Sequence, residues 1–204
     1  MKLSNFKLLI DSWEWVKEMA LSSIHKSYSG GEITSEWKLN ILLTRHSPIR
    51  ELRIKYKLIE LKRWIADQLV RHSIGVNNSM GTGRPDRNNI PRDKQTMEFE
   101  TELYQSHNAE SFINMMENRL CVGCVSKETR LICESLRDEV EKTEPELAFM
   151  CVPNCIKLSG CKEMFVGHCS YFTRFMDYVI TEYGSWHAFD IKKRYTIYHE
   201  WRKK

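Results

Sequence analysis

The first 120 residues of this 204-residue chain contain no cysteine, although the whole chain has seven. A secreted disulfide scaffold spreads an even number of cysteines over its fold. The pattern therefore points to a reducing, cytoplasmic compartment, with buried thiols or a metal site in the second half. Long apolar runs are missing too: none approaches the roughly 20 residues of a membrane span, so no membrane association is expected. The opening MKLSNFKLLIDSWEW has few apolar residues before Asp11 and no small-residue cleavage site after it, unlike a signal peptide. Familiar phosphate-binding fingerprints are absent: there is no GK[ST] loop ending and no completed G-x-G-x-x-G. Internal repeats and low-complexity tracts are lacking as well.

What is present is ordinary globular composition, 42% hydrophobic and 28% charged, which excludes wholesale disorder. One domain is the expectation for this length. Thirty-one basic residues against 27 acidic give a net charge of +4. Residues 192–204 (KKRYTIYHEWRKK) hold six lysines and arginines plus His199. Such a tail can attract phosphates or nucleic acid, though a frayed, solvated terminus is the plainer expectation.

Apolar spacing predicts several helices and one clear strand. Residues 11–26 set Trp13, Val16, Met19, Ala20 and Ile24 on one helical face, ended by Ser29-Gly30-Gly31. A second helix begins at Thr34, a cap for free amides, turns Trp37, Ile41 and Leu42 inward, and stops before Pro48. In ELRIKYKL the period drops to two. Leu52, Ile54, Tyr56 and Leu58 alternate with Arg53, Lys55 and Lys57, a half-buried strand with a basic open face. From Leu61 the helical period returns, with Leu61, Trp64, Ile65, Gln68, Leu69 and His72 on one face. Residues 73–95 read as one long loop, of the kind that often carries function. Helices follow at 109–121, with Asn108 as cap, and at 126–142, where Leu131, Ile132, Leu136 and Val140 point inward and Pro145 marks the end. A cysteine-bearing knuckle over 151–169 precedes a helix with Phe172, Phe175, Met176 and Val179.

Four groups of residues can carry chemistry, and each has a plainer structural reading. Gln68, Arg71 and His72 end an inward stripe, where polar groups need partners; a guanidinium fork beside a carboxamide suits a phosphate or a heterocycle. A helix C-terminus, whose dipole favours Arg and His, also accounts for them. In the loop 77–87, Gly81 and Gly83 let backbone amides approach an anion that Arg84 and Arg87 can grip. The alternative is a solvated turn whose arginines pair with Asp86 and Asp93. Arg119, Glu128 and Arg130, with Asn108 and Asn114 upstream, suit a site or interhelical ion pairs. Cys121-x-x-Cys124 has the spacing of a metal half-site or a redox pair. Cys151, Cys155, Cys161 and Cys169, with His168 as a further ligand, could hold zinc; buried free thiols are the plainer reading.

In chain order, these stretches resemble the flavin-dependent thymidylate synthases (the ThyX family), particularly the short, divergent members found in bacterial viruses. His46-Ser47-Pro48-Ile49-x-Glu51, ahead of the alternating strand, is similar to the family's His-[Thr/Ser]-x-x-x-Glu segment. Gln68-Leu-Val-Arg71-His72-Ser73 resembles Gln-x-x-Arg-His-Arg. Asn78-Ser-Met-Gly-Thr82-Gly-Arg84 resembles Asn-Glu-x-Ser-x-Arg with one residue inserted. Asn108-Ala-Glu-Ser-Phe-Ile-Asn114, then Arg119, resembles the Asn-x-Arg-x-Leu…Arg helix. Three departures stand out: Ser73 replaces an arginine, Ser79 a glutamate, and Glu110 an arginine that touches FAD. The segment between Arg84 and Arg87 is also shorter than usual.

The resemblance covers roughly residues 10–170. It implies an α+β fold, with a central antiparallel sheet flanked by long helices and a Cys-rich C-terminal knuckle. Residues 171–204 are left as a helical, basic extension. A homotetramer is implied, with active sites shared among subunits. FAD would be the cofactor, NADPH and methylenetetrahydrofolate the co-substrates, and dUMP would be methylated at C5. His46, Arg71, His72, Ser73, Asn108 and Asn114 would face the flavin. Gln68, Thr82, Arg84 and Arg87 would hold the nucleotide, and Arg119 would reach its pyrimidine, sharing the catalytic role with Arg71 and His72. No cysteine nucleophile is called for, and zinc at the knuckle stays an open alternative. Two alternatives remain: a related enzyme making another C5-modified pyrimidine nucleotide, or a descendant that binds nucleotide or nucleic acid without catalysis.

Overall fold

The structure is a computed structural model that describes residues 2–9, 13–163, 169–185 and 189–204. The chain divides into two compact units, residues 1–33 with 46–112 and residues 34–45 with 113–204. In chain order come β1 (Lys2–Leu9), α1 (Trp13–Ser22), α2 (Ser35–Leu43), β2 (Arg53–Lys62), α3 (Arg63–Leu69), β3 (Val76–Met80), α4 (Pro85–Asn88) and β4 (Glu100–Asn108). They are followed by α5 (Ala109–Arg119), α6 (Lys127–Glu141), α7 (Pro145–Phe149), α8 (Asn154–Leu158), α9 (Ser170–Tyr183) and α10 (Ile191–Trp201). Tight 3₁₀ turns occur at Ser47–Glu51 and Arg92–Lys94.

The first unit is built on a four-stranded sheet in the order β1-β2-β4-β3, every neighbouring pair antiparallel. Its centre is the strand expected from the alternation: Leu52, Ile54, Tyr56 and Leu58 are buried, while Lys55 is exposed. The basic face is not left open, because Lys57 pairs with Glu102 of β4 at 2.8 Å and lies over the Tyr104 ring. Leu61 belongs to this strand rather than to a helix. Opposite Leu103 and Thr101, the register from Leu58 to Leu61 contains one extra residue. Glu60, at φ +53°, absorbs it in the left-handed region. Such a bulge re-aims the strand, so Leu58 and Leu61 are both buried although three apart. This parity change is what imitates a return to helical spacing.

The helix after it is consequently short. α3 runs from Arg63 to Leu69, burying Ile65, Ala66 and Leu69, and ends before Arg71 and His72. Those two residues lie in the following turn, not one helical turn beyond Gln68. The expected loop at 73–95 contains β3, α4 and a 3₁₀ turn. β4 shows clean alternation, with Thr101, Leu103, Gln105 and His107 buried between exposed or half-buried neighbours. α1 ends at Ser22, before the glycines, with Trp13 and Val16 buried and Ile24 exposed.

The second unit is helical. Thr34 caps α2, its hydroxyl accepting from the Trp37 amide at 3.2 Å. Ser126 caps α6 in the same way through Thr129, each cap supplying about 1 kcal/mol. α6 buries Ile132, Leu136 and Val140 but exposes Leu131, expected inside. Pro145 opens α7, its missing N–H harmless in a first helical turn. α10 contributes buried Tyr195, Ile197 and Tyr198. Arg202 and Lys203 pair with Glu141 at 2.8 and 2.9 Å, so these tail cations are engaged rather than frayed. No described helix is long and apolar enough to cross a membrane.

Candidate functional site

Beyond buried Thr101 and Leu103, the inner face of β4 carries the polar side chains Gln105 and His107, at 3% and 0% exposure. Buried polar groups need hydrogen bonds, and a connected set supplies them. The Tyr56 hydroxyl donates to Gln105 Oε1 at 2.7 Å and lies 3.1 Å from His107 Nε2. Gln105 Nε2 donates to Asn78 Oδ1 at 2.6 Å, and Asn78 Nδ2 reaches the His72 carbonyl at 3.4 Å. On the other side of His107, Nδ1 lies 3.4 Å from the Ser111 hydroxyl, which also bonds the Gly75 carbonyl at 3.0 Å. Tyr56 stacks on the imidazole and Phe112 meets it edge-on. Burial, aided by the charge of His72, pushes the His107 pKa down to about 3, so the ring stays neutral near pH 7.

This network fastens the turn 71–75 to the end of β4. Gly75 is at φ +73°, and an added Cβ would come within 2.5 Å of Asn108 Nδ2. The Asn108 amide donates to the Gly75 carbonyl at 2.9 Å, and Asn108 Oδ1 accepts from the Ser111 amide at 2.8 Å, capping α5 as expected. Arg71 and Ser73 are exposed on the turn and His72 is half-buried; Gln68 is half-buried on α3. His46 is exposed just before the first 3₁₀ turn. From that turn Arg50 Nε donates to Glu110 at 2.5 Å. Among the described residues, Arg71 and Arg87 have no carboxylate partner.

The glycine loop is open. Thr82, Arg84 and Arg87 are exposed. Arg84 grips Asp86 with two nitrogens, at 3.1 and 2.6 Å, as the solvated-turn alternative supposed. Its amide donates to the Thr82 hydroxyl at 3.2 Å.

Asn114 and Arg119 lie on the later turns of α5, in the second unit. Asn114 Oδ1 accepts from Arg45 at 3.3 Å; Arg45 also pairs with buried Glu117, which Lys157 reaches at 2.7 Å. Arg119 is half-buried, and its charge acts on the buried Cys133 thiol, which burial pushes up to about 12. Arg130 pairs along its own helix with Glu134 at 2.7 Å rather than between helices. A cleft of about 550 Å³ in this unit is lined by Arg130, Arg137, Arg174 and Arg202, but three of the four are already held by acidic side chains.

The cysteines do not all gather where the knuckle reading put them. Cys151 is fully buried, its thiol donating to the Leu147 carbonyl at 3.5 Å. Cys155, Cys161 and Cys169 instead line a cavity with Cys121 and Cys124. Among the described residues, no three His, Cys, Asp or Glu side chains are posed to hold a metal ion. His168 lies outside the described residues.

Solved structures of similar fold exist. The flavin-dependent thymidylate synthase ThyX of Helicobacter pylori, complexed with FAD and dUMP, matches with a TM-score of 0.56 at 17% identity, over 74% of this chain and 100% of that one. The chain shares its fold with the ThyX enzymes. Another structure of the H. pylori enzyme with FAD and dUMP gives 0.53 at 17% identity, over 74% and 97% of the two chains. The UMP/dUMP methylase PolB of Streptomyces cacaoi, bound with 5-Br dUMP, gives 0.54 at 13% identity, over 72% and 93%. No protein-family model matches the chain, and no curated protein matches it. Identities this low establish the ThyX fold and nothing finer.

The sequence motifs do not mark Gln105, His107 or Ser111, and the alternation marks Tyr56 only as a core residue. The signal was present in TELYQSHN, where period-two alternation places polar residues at inward positions. Arg50 carries no sequence signal of its own; its pairing with Glu110 is what brings it into this arrangement.

Proposed function

We propose that the chain is a flavin-dependent pyrimidine nucleotide C5-methylase acting on dUMP, using FAD with NADPH and methylenetetrahydrofolate. One observation carries this reading. Residues of three separate signature stretches, His72, Asn78 and Asn108, are joined through the buried Tyr56–Gln105–His107–Ser111 network. They are joined on a fold whose solved counterparts hold FAD and dUMP.

The residues fit a flavin with a diphosphate. Arg71 is exposed and, among the described residues, has no carboxylate partner. Arg50, held by Glu110, supplies a cation where the family's arginine is missing. His46, Ser73 and Asn114 would complete that side, with Asn108 positioning the turn rather than offering its capping oxygen. When bound, the flavin supplies the hydride that reduces the transferred one-carbon unit. The chain's own residues bind and orient. Arg84, Arg87, Thr82 and Gln68 would hold the phosphate of dUMP. Arg119 would stabilise negative charge on the pyrimidine, a contribution worth about 3 kcal/mol for one well-placed donor. Neutral His107 holds the Arg71–His72 turn in place. The cysteines have no role in this chemistry.

A homotetramer is the assembly that this reading implies. Ile74, at the tip of the Arg71–Gly75 turn, is 91% exposed, as an apolar residue covered by another subunit would be. A second reading, production of a different C5-modified pyrimidine nucleotide, is favoured by the likeness to a methylase named for both UMP and dUMP.

The test is spectroscopic and then chemical. The purified protein should carry a flavin spectrum, bind dUMP in titration calorimetry, and release tritium from C5-labelled dUMP when given both co-substrates. A colourless protein that binds no pyrimidine nucleotide would sink the proposal. A colourless protein that binds dUMP would instead be a binding protein.

A further inference from the structure

Five of the seven cysteines meet outside the nucleotide chemistry. Cys121 and Cys124 lie in the link between α5 and α6, Cys155 on α8, Cys161 just beyond it, and Cys169 immediately before α9. All five line one cavity of about 20 Å³. That volume holds a single atom-sized guest and no organic ligand. Three chain segments, up to 48 residues apart, deliver sulfur to a space of that size.

The thiols interact with one another. Cys124 is influenced by Cys121 and Cys161, and Cys155 by Cys121, Cys161 and Cys169. These pairings close a ring of four, Cys121, Cys124, Cys161 and Cys155, with Cys169 beside Cys155. The two remaining cysteines, Cys133 and Cys151, lie in the apolar core.

We propose that Cys121, Cys124, Cys155 and Cys161 bind one zinc-class divalent cation as a structural tetrathiolate site. Four thiolates around one ion is the usual closed arrangement for structural zinc, and the Cys-x-x-Cys pair is its usual half-site. Binding releases the four S–H protons to solvent as four metal–sulfur bonds form, with no change of oxidation state. Side-chain rotations must complete the geometry, drawing the exposed Cys124 and Cys161 inward, because no three ligands are already posed. The metal would tie the α5–α6 link to the stretch that leads into α9. Glu163, also on the cavity wall, is a harder ligand that thiolates outcompete for this ion.

Full-length protein grown with added zinc and purified under reductant without chelator should retain one zinc per chain, measured by native mass spectrometry and elemental analysis. A mercurial thiol reagent should release it from the folded protein. Exchange for Co²⁺ should give intense sulfur-to-cobalt charge transfer and tetrahedral d–d bands. Cys124→Ser or Cys161→Ser should lose the metal, while Cys169→Ser and Cys133→Ala keep it. Because a ligand variant can fail to fold, reagent-driven release from the unmodified chain stands as an independent readout. Protein that holds no zinc and gives no cobalt–thiolate bands overturns the proposal. So does a Cys121–Cys124 disulfide persisting under reductant, or loss of zinc with Cys169→Ser.

Discussion

Arg50 and Glu110, sixty positions apart, are joined by a hydrogen-bonded ion pair, Nε to Oε2 at 2.5 Å. In the proposed reading Glu110 stands where the ThyX enzymes place an arginine, and Arg50 supplies the cation from the 3₁₀ turn before β2. An exposed pair of this kind contributes at most about 1 kcal/mol to stability. Arg50→Ala should therefore lower the flavin-to-protein ratio of the purified chain while shifting its melting temperature by only a few degrees. Absorbance and a thermal melt on the same sample check both halves. Unchanged flavin content would remove Arg50 from the cofactor site.

The Arg84–Asp86 pair makes a prediction opposite in sign to most substitutions. Asp86 both occupies the Arg84 fork and places a negative charge beside the expected phosphate. Asp86→Asn should tighten dUMP binding several-fold, whereas Arg87→Ala should weaken it about 10-fold or more, the value of a charged hydrogen bond. Isothermal titration calorimetry with dUMP decides. Equal affinities for all three proteins would place the phosphate elsewhere.

Gly75 and Gly160 form a controlled comparison. At Gly75 the left-handed backbone and the 2.5 Å approach to Asn108 Nδ2 act together, so Gly75→Ala should lose about 2 kcal/mol. Gly160 has nothing within 4 Å of an added Cβ, and Gly160→Ala should change stability by less than about 0.5 kcal/mol. Urea unfolding curves measure both.

Acid should destabilise the protein through its buried histidines. His107 and His199 have pKa values pushed down from 6.5 to about 3 and about 4, in both cases chiefly by burial. Below pH 6.5 the unfolded chain takes up protons that the folded chain refuses, so stability falls as pH drops. The loss is complete only when the folded values are passed. Each such group costs up to about 1.4 kcal/mol per pH unit within that window. Urea midpoints between pH 7 and 4 should decline, and His107→Gln should shallow the decline. An unchanged slope in that variant would mean that His107 is charged in the folded state.

Particular elements show how far local pattern reaches. The strand at 52–58 and the capped helices starting after Thr34 and Ser126 were legible, because a period of two or 3.6 and a hydroxyl cap are properties of neighbouring residues. β3 was hidden because three of its five residues are exposed; an edge strand exists through its hydrogen bonds to β4, not through an apolar pattern. The bulge at Glu60 shifted side-chain parity and so disguised Leu61 as the start of a helix. The site was half legible. Arg71, His72, Asn78 and Asn108 were marked by motif, whereas their connection through His107 depends on pairing Val76 opposite His107 and Asn78 opposite Gln105.

From its residues alone, then, the chain specifies which faces are apolar, where helices begin, and which polar groups stand in family-like order. These are short-range matters, settled by side-chain spacing and by hydrogen bonds to nearby amides. Only the tertiary structure decided which strands pair, that Glu110 is answered by Arg50, and that Cys121 and Cys124 share a cavity with Cys155, Cys161 and Cys169 while Cys151 does not. Those relations join residues tens of positions apart. No local periodicity encodes them, because they arise when distant segments bury their surfaces together and each enclosed polar group must find its partner there.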